Sequence, residues 1–274
     1  MSVPAVHAQS RVEGEIEFLV PGPAKPFAYN YDPGATALPE SASFERRTVV
    51  LQDVRYHGAP SMDMHGATLL RRPTAVRDLY DPDEITRRYY PEAAQIIASS
   101  VGARRVVVFD HNVRRGAGLP VHPGSRNPVQ HAHTDFTPRS ARRRLSDVLG
   151  ETISDSGTGH FAQINLWRPI RGPLRDSPLA ICDGATVSRR CLRATDLLYP
   201  DRTGEIFYLA HSTRQRWYFA SDMDPDEIWL IKNFDSRPRG RVAPHSAFSP
   251  ASAGPRDVLP RESIEVRAFA LFAK

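Results

Sequence analysis

Residues 130–136 read QHAHTDF, a short strand-like run that is followed at once by TPRS, where Thr137 and Pro138 suit the start of a helix. In a strand, side chains two apart point to the same face, so His133 and Asp135 project together and can reach one metal ion. A His-x-Asp pair is common by chance. Its meaning therefore depends on what the rest of the chain places around it.

Working outward, similar runs rich in β-branched and aromatic residues recur at fairly even intervals: 105–109, 161–167, 179–182, 206–209, 216–220, 228–231, 245–248 and 263–272, with the opening run making nine. Pro, Gly and Asp turns separate them, and the segment 138–149 is the one helix that interrupts the series. Many short strands without alternating helices predict a mainly β, antiparallel fold, of which a jelly roll or double-stranded β-helix, cupin-like and with flanking helices, is favoured over a doubly wound sheet. Upstream, Asp81 as N-cap, Pro82 at the first helical position and Asp83 and Glu84 in the first turn predict a helix over 82–101, ended near Gly102. Residues 1–45 are rich in Pro, Gly and Ala, show one strand candidate at 16–20, and are expected to wrap the surface. The 274 residues are read as a single domain, with a β core over about 105–274 and an N-terminal extension over about 1–104.

A third ligand is offered by APHSAF at 243–248, where His245 follows a proline and opens a strand, 110 residues after Asp135. Two imidazoles and one carboxylate on one side of an ion leave three positions open, the ligand set of non-haem iron(II) sites. Shortly beyond comes PRESIEVRAF, in which Arg261 and Ser263 alternate on one strand face and together suit a carboxylate. Arg267, on the same face, is the competing anchor. His131, on the face of His133, makes His131-x-His133 a rival metal pair, or else a supporting partner of the first.

These features in this order resemble the iron(II) and 2-oxoglutarate-dependent dioxygenases. Longer blocks, VVVFDHNVRR at 106–115, HTDFTPRSA at 133–141, INLWRPIRGP at 164–173, SPLAICD at 177–183, RWYFASDMDPDEIWLIKNFDS at 216–236, APHSAF and RESIEVRA, are similar to the hydroxylase/desaturase family, which includes cephem methoxylase-associated, gibberellin-desaturase-like and fungal meroterpenoid oxygenases. The resemblance spans about 106–272. It implies a jelly-roll core, iron(II) held by His133, Asp135 and His245, 2-oxoglutarate and O2 as co-substrates, and hydroxylation or desaturation of a small molecule resembling a secondary metabolite. A metal-dependent, cupin-like binding protein or isomerase without oxygen chemistry is the alternative that the fold alone leaves open.

Trp167 and Arg168, in NLWRPI, read equally as a pocket wall with a carboxylate contact or as a core indole beside a paired guanidinium, and Trp217 poses the same choice. His111 reads as a loop-ordering residue, and His7, His57, His65, His122, His160 and His211 as surface or turn residues. The net charge of +5 and pI near 9.4 raise the possibility of nucleic acid, but the arginines are scattered and no nucleic-acid-binding motif is present. No run of eighteen apolar residues and no apolar N-terminal leader is seen, and two cysteines, Cys182 and Cys191, are too few for a disulfide framework. A cytoplasmic enzyme with a small-molecule substrate, and with neither nucleic acid nor membrane as partner, is the expectation; nothing in the sequence specifies an oligomeric state.

Overall fold

The computed structural model describes residues 10–34, 37–120, 122–150, 159–251 and 258–273. Along the chain run β1 Arg11–Leu19, β2 Phe27–Tyr29, β3 Phe44–Asp53, α1 Val54–His57, β4 Ala67–Arg71, α2 Pro82–Glu84, a π-helical turn Ile85–Tyr89, α3 Tyr90–Val101, β5 Arg105–Arg115, β6 His133–Thr134 and α4 Pro138–Leu149. They are followed by β7 His160–Pro169, β8 Leu179–Cys182, a 3-10 turn Arg189–Cys191, β9 Leu192–Leu198, β10 Thr203–Leu209, β11 Trp217–Phe219, β12 Glu227–Asp235, β13 His245–Ala247, β14 Ser249–Pro250 and β15 Glu262–Phe272.

Local chemistry sets the helix ends. The Asp81 side chain accepts from the Asp83 N–H, and Gly102 closes α3 in the left-handed conformation at φ 68. Between them Pro91 lacks the N–H that would bond the turn before it, and the chain widens into the π turn immediately upstream. Thr137 and Ser140 cap α4 reciprocally, and Gly150 ends it at φ 68.

The strands form two sheets. The larger has ten strands in the order β14-β1-β3-β11-β8-β13-β6-β10-β9-β2, and the smaller has five in the order β4-β12-β7-β15-β5. Leu179 and Ile181 of the larger sheet meet Trp167, Trp229 and Ile231 of the smaller in one buried cluster, so the two pack face to face. The outer face of the smaller sheet, with Ile164, Leu166, Leu230, Ile264 and Val266, is covered by α3 through Ala93, Ile96 and Ile97. Strand β7, the middle of the smaller sheet, is therefore buried on both faces: its odd positions look between the sheets and its even positions toward the helix. Leu230 is fully buried in the helix-side layer. Leu230→Ala should lower unfolding free energy by about 2–5 kcal/mol, read as a shifted denaturant midpoint.

The expectation that residues 1–45 wrap the surface is corrected. Strands β1 and β3 pair over nine register positions, β3 then pairs with β11, and Ile16, Phe18 and Leu51 are fully buried against Trp217 and Phe248. Glu17 also bonds to the backbone at Gln130 and Ala132, so β1 reaches the segment that leads into the metal strand. The segment before residue 105 thus supplies core strands, not a separate wrapping. The strand candidate at 16–20 falls within β1; His7 lies outside the described residues.

Candidate metal and co-substrate site

His133 and His245 face each other as the single register pair joining β6 and β13, with ring centroids 4.6 Å apart. Asp135 follows just past β6, its Oδ1 lying 3.5 Å from His133 Nε2. One ligand atom from each of the three lies within 4.8 Å of the other two. His133 Nδ1 is 2.8 Å from the His131 carbonyl and His245 Nδ1 is 3.4 Å from the Ala243 carbonyl. A carbonyl can only accept, so each Nδ1 carries the proton and each Nε2 lone pair is left for an ion. Two nitrogens and one carboxylate oxygen, held on one side of a shared point, suit iron(II) and leave coordination positions open.

The electrostatics agree. Burial pushes His245 down to about 3, aided by the nearby His133, so the ring is neutral and ready to ligate. Burial alone would raise the Asp135 carboxyl, but its contact with His133 and the charge of Arg267 outweigh it and hold the group well below the usual carboxylate range.

Side chains that the sequence reading did not single out position Asp135. Asn165 Nδ2 donates to Asp135 Oδ2 at 2.7 Å, Gln163 Nε2 donates to Asn165 Oδ1 at 2.7 Å, and the Asp135 N–H donates to Asn233 Oδ1 at 3.0 Å. Asn233 sits where the β12 register slips by one, a bulge that turns it toward the metal strand. The available signal was a pair of polar residues inside otherwise apolar strands, in INLWRP and LIKNFD. Asn165→Ala should weaken metal affinity about 10- to 100-fold with little loss of fold, measured by titrating the apoprotein with iron(II) or cobalt(II).

Arg261 and Ser263 come together as expected. Arg261 is buried, its Nε donates to Ser263 Oγ at 3.0 Å, its Nη1 donates to the Ser177 carbonyl at 2.8 Å, and its guanidinium lies 5.0 Å over the Trp167 ring. With His133, His245 and Trp167 it lines a small cavity directly beside the metal ligands. Burial, with Arg114 adding like charge, lowers Arg261 to about 9. The competing anchor Arg267 is instead paired with Asp110 and faces a larger cavity of about 1000 Å³ that opens over His133 and Asp135.

Other candidates are placed elsewhere. Arg168, next along β7 from Trp167, points to the helix side, where it donates to Tyr89 Oη at 2.9 Å and to the Arg72 carbonyl at 2.7 Å, so its reading as a carboxylate contact in the pocket is corrected. Trp217 packs edge-on against Phe18 at 5.8 Å and lines neither cavity. His131 does not join the metal set: Glu17 holds its Nε2 at 2.9 Å and Phe44 stacks on its ring at 3.6 Å.

Comparison with known proteins agrees with this geometry. Residues 16–271 match a family model described as an oxidoreductase/YMDC permease-like domain. A hydroxylase/desaturase of Hormonema carpetanum is 30% identical, covering 82% of this chain and 84% of the relative. An alpha-ketoglutarate-dependent dioxygenase of Talaromyces stipitatus is 31% identical, covering 76% of this chain and 78% of its own length. The solved structure of the iron and alpha-ketoglutarate-dependent endoperoxidase NvfI superposes with a TM-score of 0.87 at 25% identity, covering 97% of this chain and 100% of that one. The mainly β, cupin-like jelly roll is shared, and the chain belongs to the iron(II)/2-oxoglutarate-dependent dioxygenases of the hydroxylase/desaturase family, oxidoreductases that use O2 and act on small molecules.

Proposed function

We propose that the chain hydroxylates or desaturates a small, secondary-metabolite-like molecule seated in the larger cavity, with iron(II) held by His133, Asp135 and His245. In this reading Arg261, steadied by Ser263, takes the distal carboxylate of 2-oxoglutarate in the small cavity, and Trp167 forms its wall. The observation that carries it is the pair of freed Nε2 atoms and one carboxylate oxygen converging beside a buried guanidinium. When bound, iron(II) with 2-oxoglutarate supplies the oxidation of a substrate C–H bond by O2, with succinate and CO2 as co-products.

The residues themselves bind and orient. Asn165 and Asn233 fix the Asp135 carboxylate, the two backbone carbonyls fix the histidine rings, and Arg261 with Ser263 sets the co-substrate's tilt, so that reacting groups meet in one geometry. Trp167 and Leu179 give the small cavity an apolar wall that limits water beside the proposed ion. A cavity of about 1000 Å³ suits a metabolite and not a polymer. Cys182 and Cys191 are both free thiols, which favours a cytoplasmic setting; no described helix is long and apolar enough to cross a membrane.

The test is anaerobic loading with iron(II) and 2-oxoglutarate, followed by a metabolite panel scored for O2 uptake and succinate release. A visible charge-transfer band and substrate-dependent succinate support the oxygenase. Metal binding with neither supports the cupin-like alternative.

A further inference from the structure

A second guanidinium stands between the two cavities. Arg114, on β5, lies opposite Ser263 of β15 in the sheet register and so shares the face that carries Arg261 and Ser263. It lines the small cavity with His133, His245 and Arg261, and also the larger one with His133 and Asp135. Arg261 lines only the small cavity. Among the described residues no carboxylate oxygen lies within ion-pair distance of Arg114, and its hydrogen bond to protein is from Nη1 to the Asn127 carbonyl at 2.8 Å. Along this strand face Arg267 is paired with Asp110, whereas the side chains of Arg261 and Arg114 both have only neutral oxygen partners among the described residues, the Ser263 hydroxyl and Ser177 carbonyl for Arg261.

The two guanidiniums also sense different neighbours. Arg114 borders the larger cavity beside Asp135 as well as the small one, whereas Arg261 borders only the small one and its backbone N–H is tied to Asp176. Arg114 is thus the metal-proximal cation and Arg261 the distal one. Two guanidiniums bordering one small cavity, on one face of the sheet, favour a dianion spanning the pair.

Resting on the oxygenase reading above, we propose that Arg114 is a positioning residue for the co-substrate, donating to the carboxylate next to the keto group, the one that also meets the metal, while Arg261 takes the far carboxylate. A 2-oxo dicarboxylate then has one guanidinium for each end. Arg fits this task because its forked donors match a carboxylate whose other oxygen faces the ion.

The experiment separates the two ends by probe. Parent, Arg114→Gln, Arg114→Lys and Arg261→Gln proteins are loaded anaerobically with iron(II), and binding of 2-oxoglutarate and of the monoacid 2-oxobutyrate is titrated by the visible charge-transfer band and by calorimetry. Arg114→Gln is expected to weaken both ligands by roughly 10- to 100-fold and to shift the band, because the group that chelates the metal loses a charged donor. Arg114→Lys should restore part of the affinity. Arg261→Gln should weaken 2-oxoglutarate alone, since 2-oxobutyrate has no distal carboxylate. Unchanged band position and unchanged affinity for both ligands in a folded Arg114→Gln protein overturns the assignment, as does a loss confined to 2-oxoglutarate. Absence of any band in the parent is a different outcome, which overturns the oxygenase reading itself.

Discussion

Replacing His133 or His245 by alanine is expected to abolish turnover and remove tight iron(II) binding. In the proposed site each would supply one of three ligand atoms, and each Nε2 is left free by a carbonyl that fixes its Nδ1 proton. Two remaining ligands cannot hold a labile divalent ion against water. Asp135→Glu should fail as well, because one methylene displaces the carboxylate beyond metal-ligand tolerances and breaks the Asn165 bond at 2.7 Å. The check is equilibrium dialysis against iron(II) together with 2-oxoglutarate-dependent O2 uptake. Retention of parental metal content and uptake in either histidine variant would show that the ion sits elsewhere.

The second large effect is expected at Arg261. A carboxylate entering the small cavity loses its hydration, and without a cation the cost is prohibitive. Arg261 is buried beside the metal ligands, preset by Ser263 and Ser177 and resting on Trp167. Arg261→Ala should therefore raise the Kd for 2-oxoglutarate by 100-fold or more, equivalent to about 3 kcal/mol. Arg267→Ala should change it much less, since Arg267 is engaged with Asp110 at the larger cavity. A large loss in the Arg267 variant with little change in the Arg261 variant would move the anchor along β15.

The parts of the fold that were legible in the sequence are those written locally. Asp81, Pro82 and Gly102 bound one helical stretch, and Thr137, Pro138 and Gly150 bound the other, because a cap is a contact between near neighbours. The grouping of His133 with Asp135 and of Arg261 with Ser263 was legible because alternation along a strand fixes a shared face, and His245 was added as a candidate from its place downstream of them. What could not be read is which face a strand turns inward when both are covered. Trp167 and Arg168 are adjacent and equally buried, yet one looks at the co-substrate cavity and the other at Tyr89. Strand β3, with ERRTVV near its start, looks like a solvated segment because four of its ten positions are exposed, and its buried end at Leu51 is recognisable only through its pairing with β1 and β11. Asn165 passed unnoticed for a similar reason: its purpose lies in a partner thirty positions away.

The single cross-strand pair that joins His133 to His245 links residues more than a hundred positions apart, and Arg261 stands just before β15, which must be inserted between β7 and β5. Closing such long loops is slow relative to forming hairpins or helices, so these contacts are among the last to form. A nascent chain lacking β15 has neither the strand between β7 and β5 nor Ser263, the hydroxyl that steadies Arg261. Iron loading should therefore lag behind the recovery of helical and strand structure during refolding, and shortening the chain before Glu262 should leave a polypeptide that cannot retain the ion. The metal is a late arrival that reports completion of the fold and then stabilises it by mass action, and not a seed around which the chain organises.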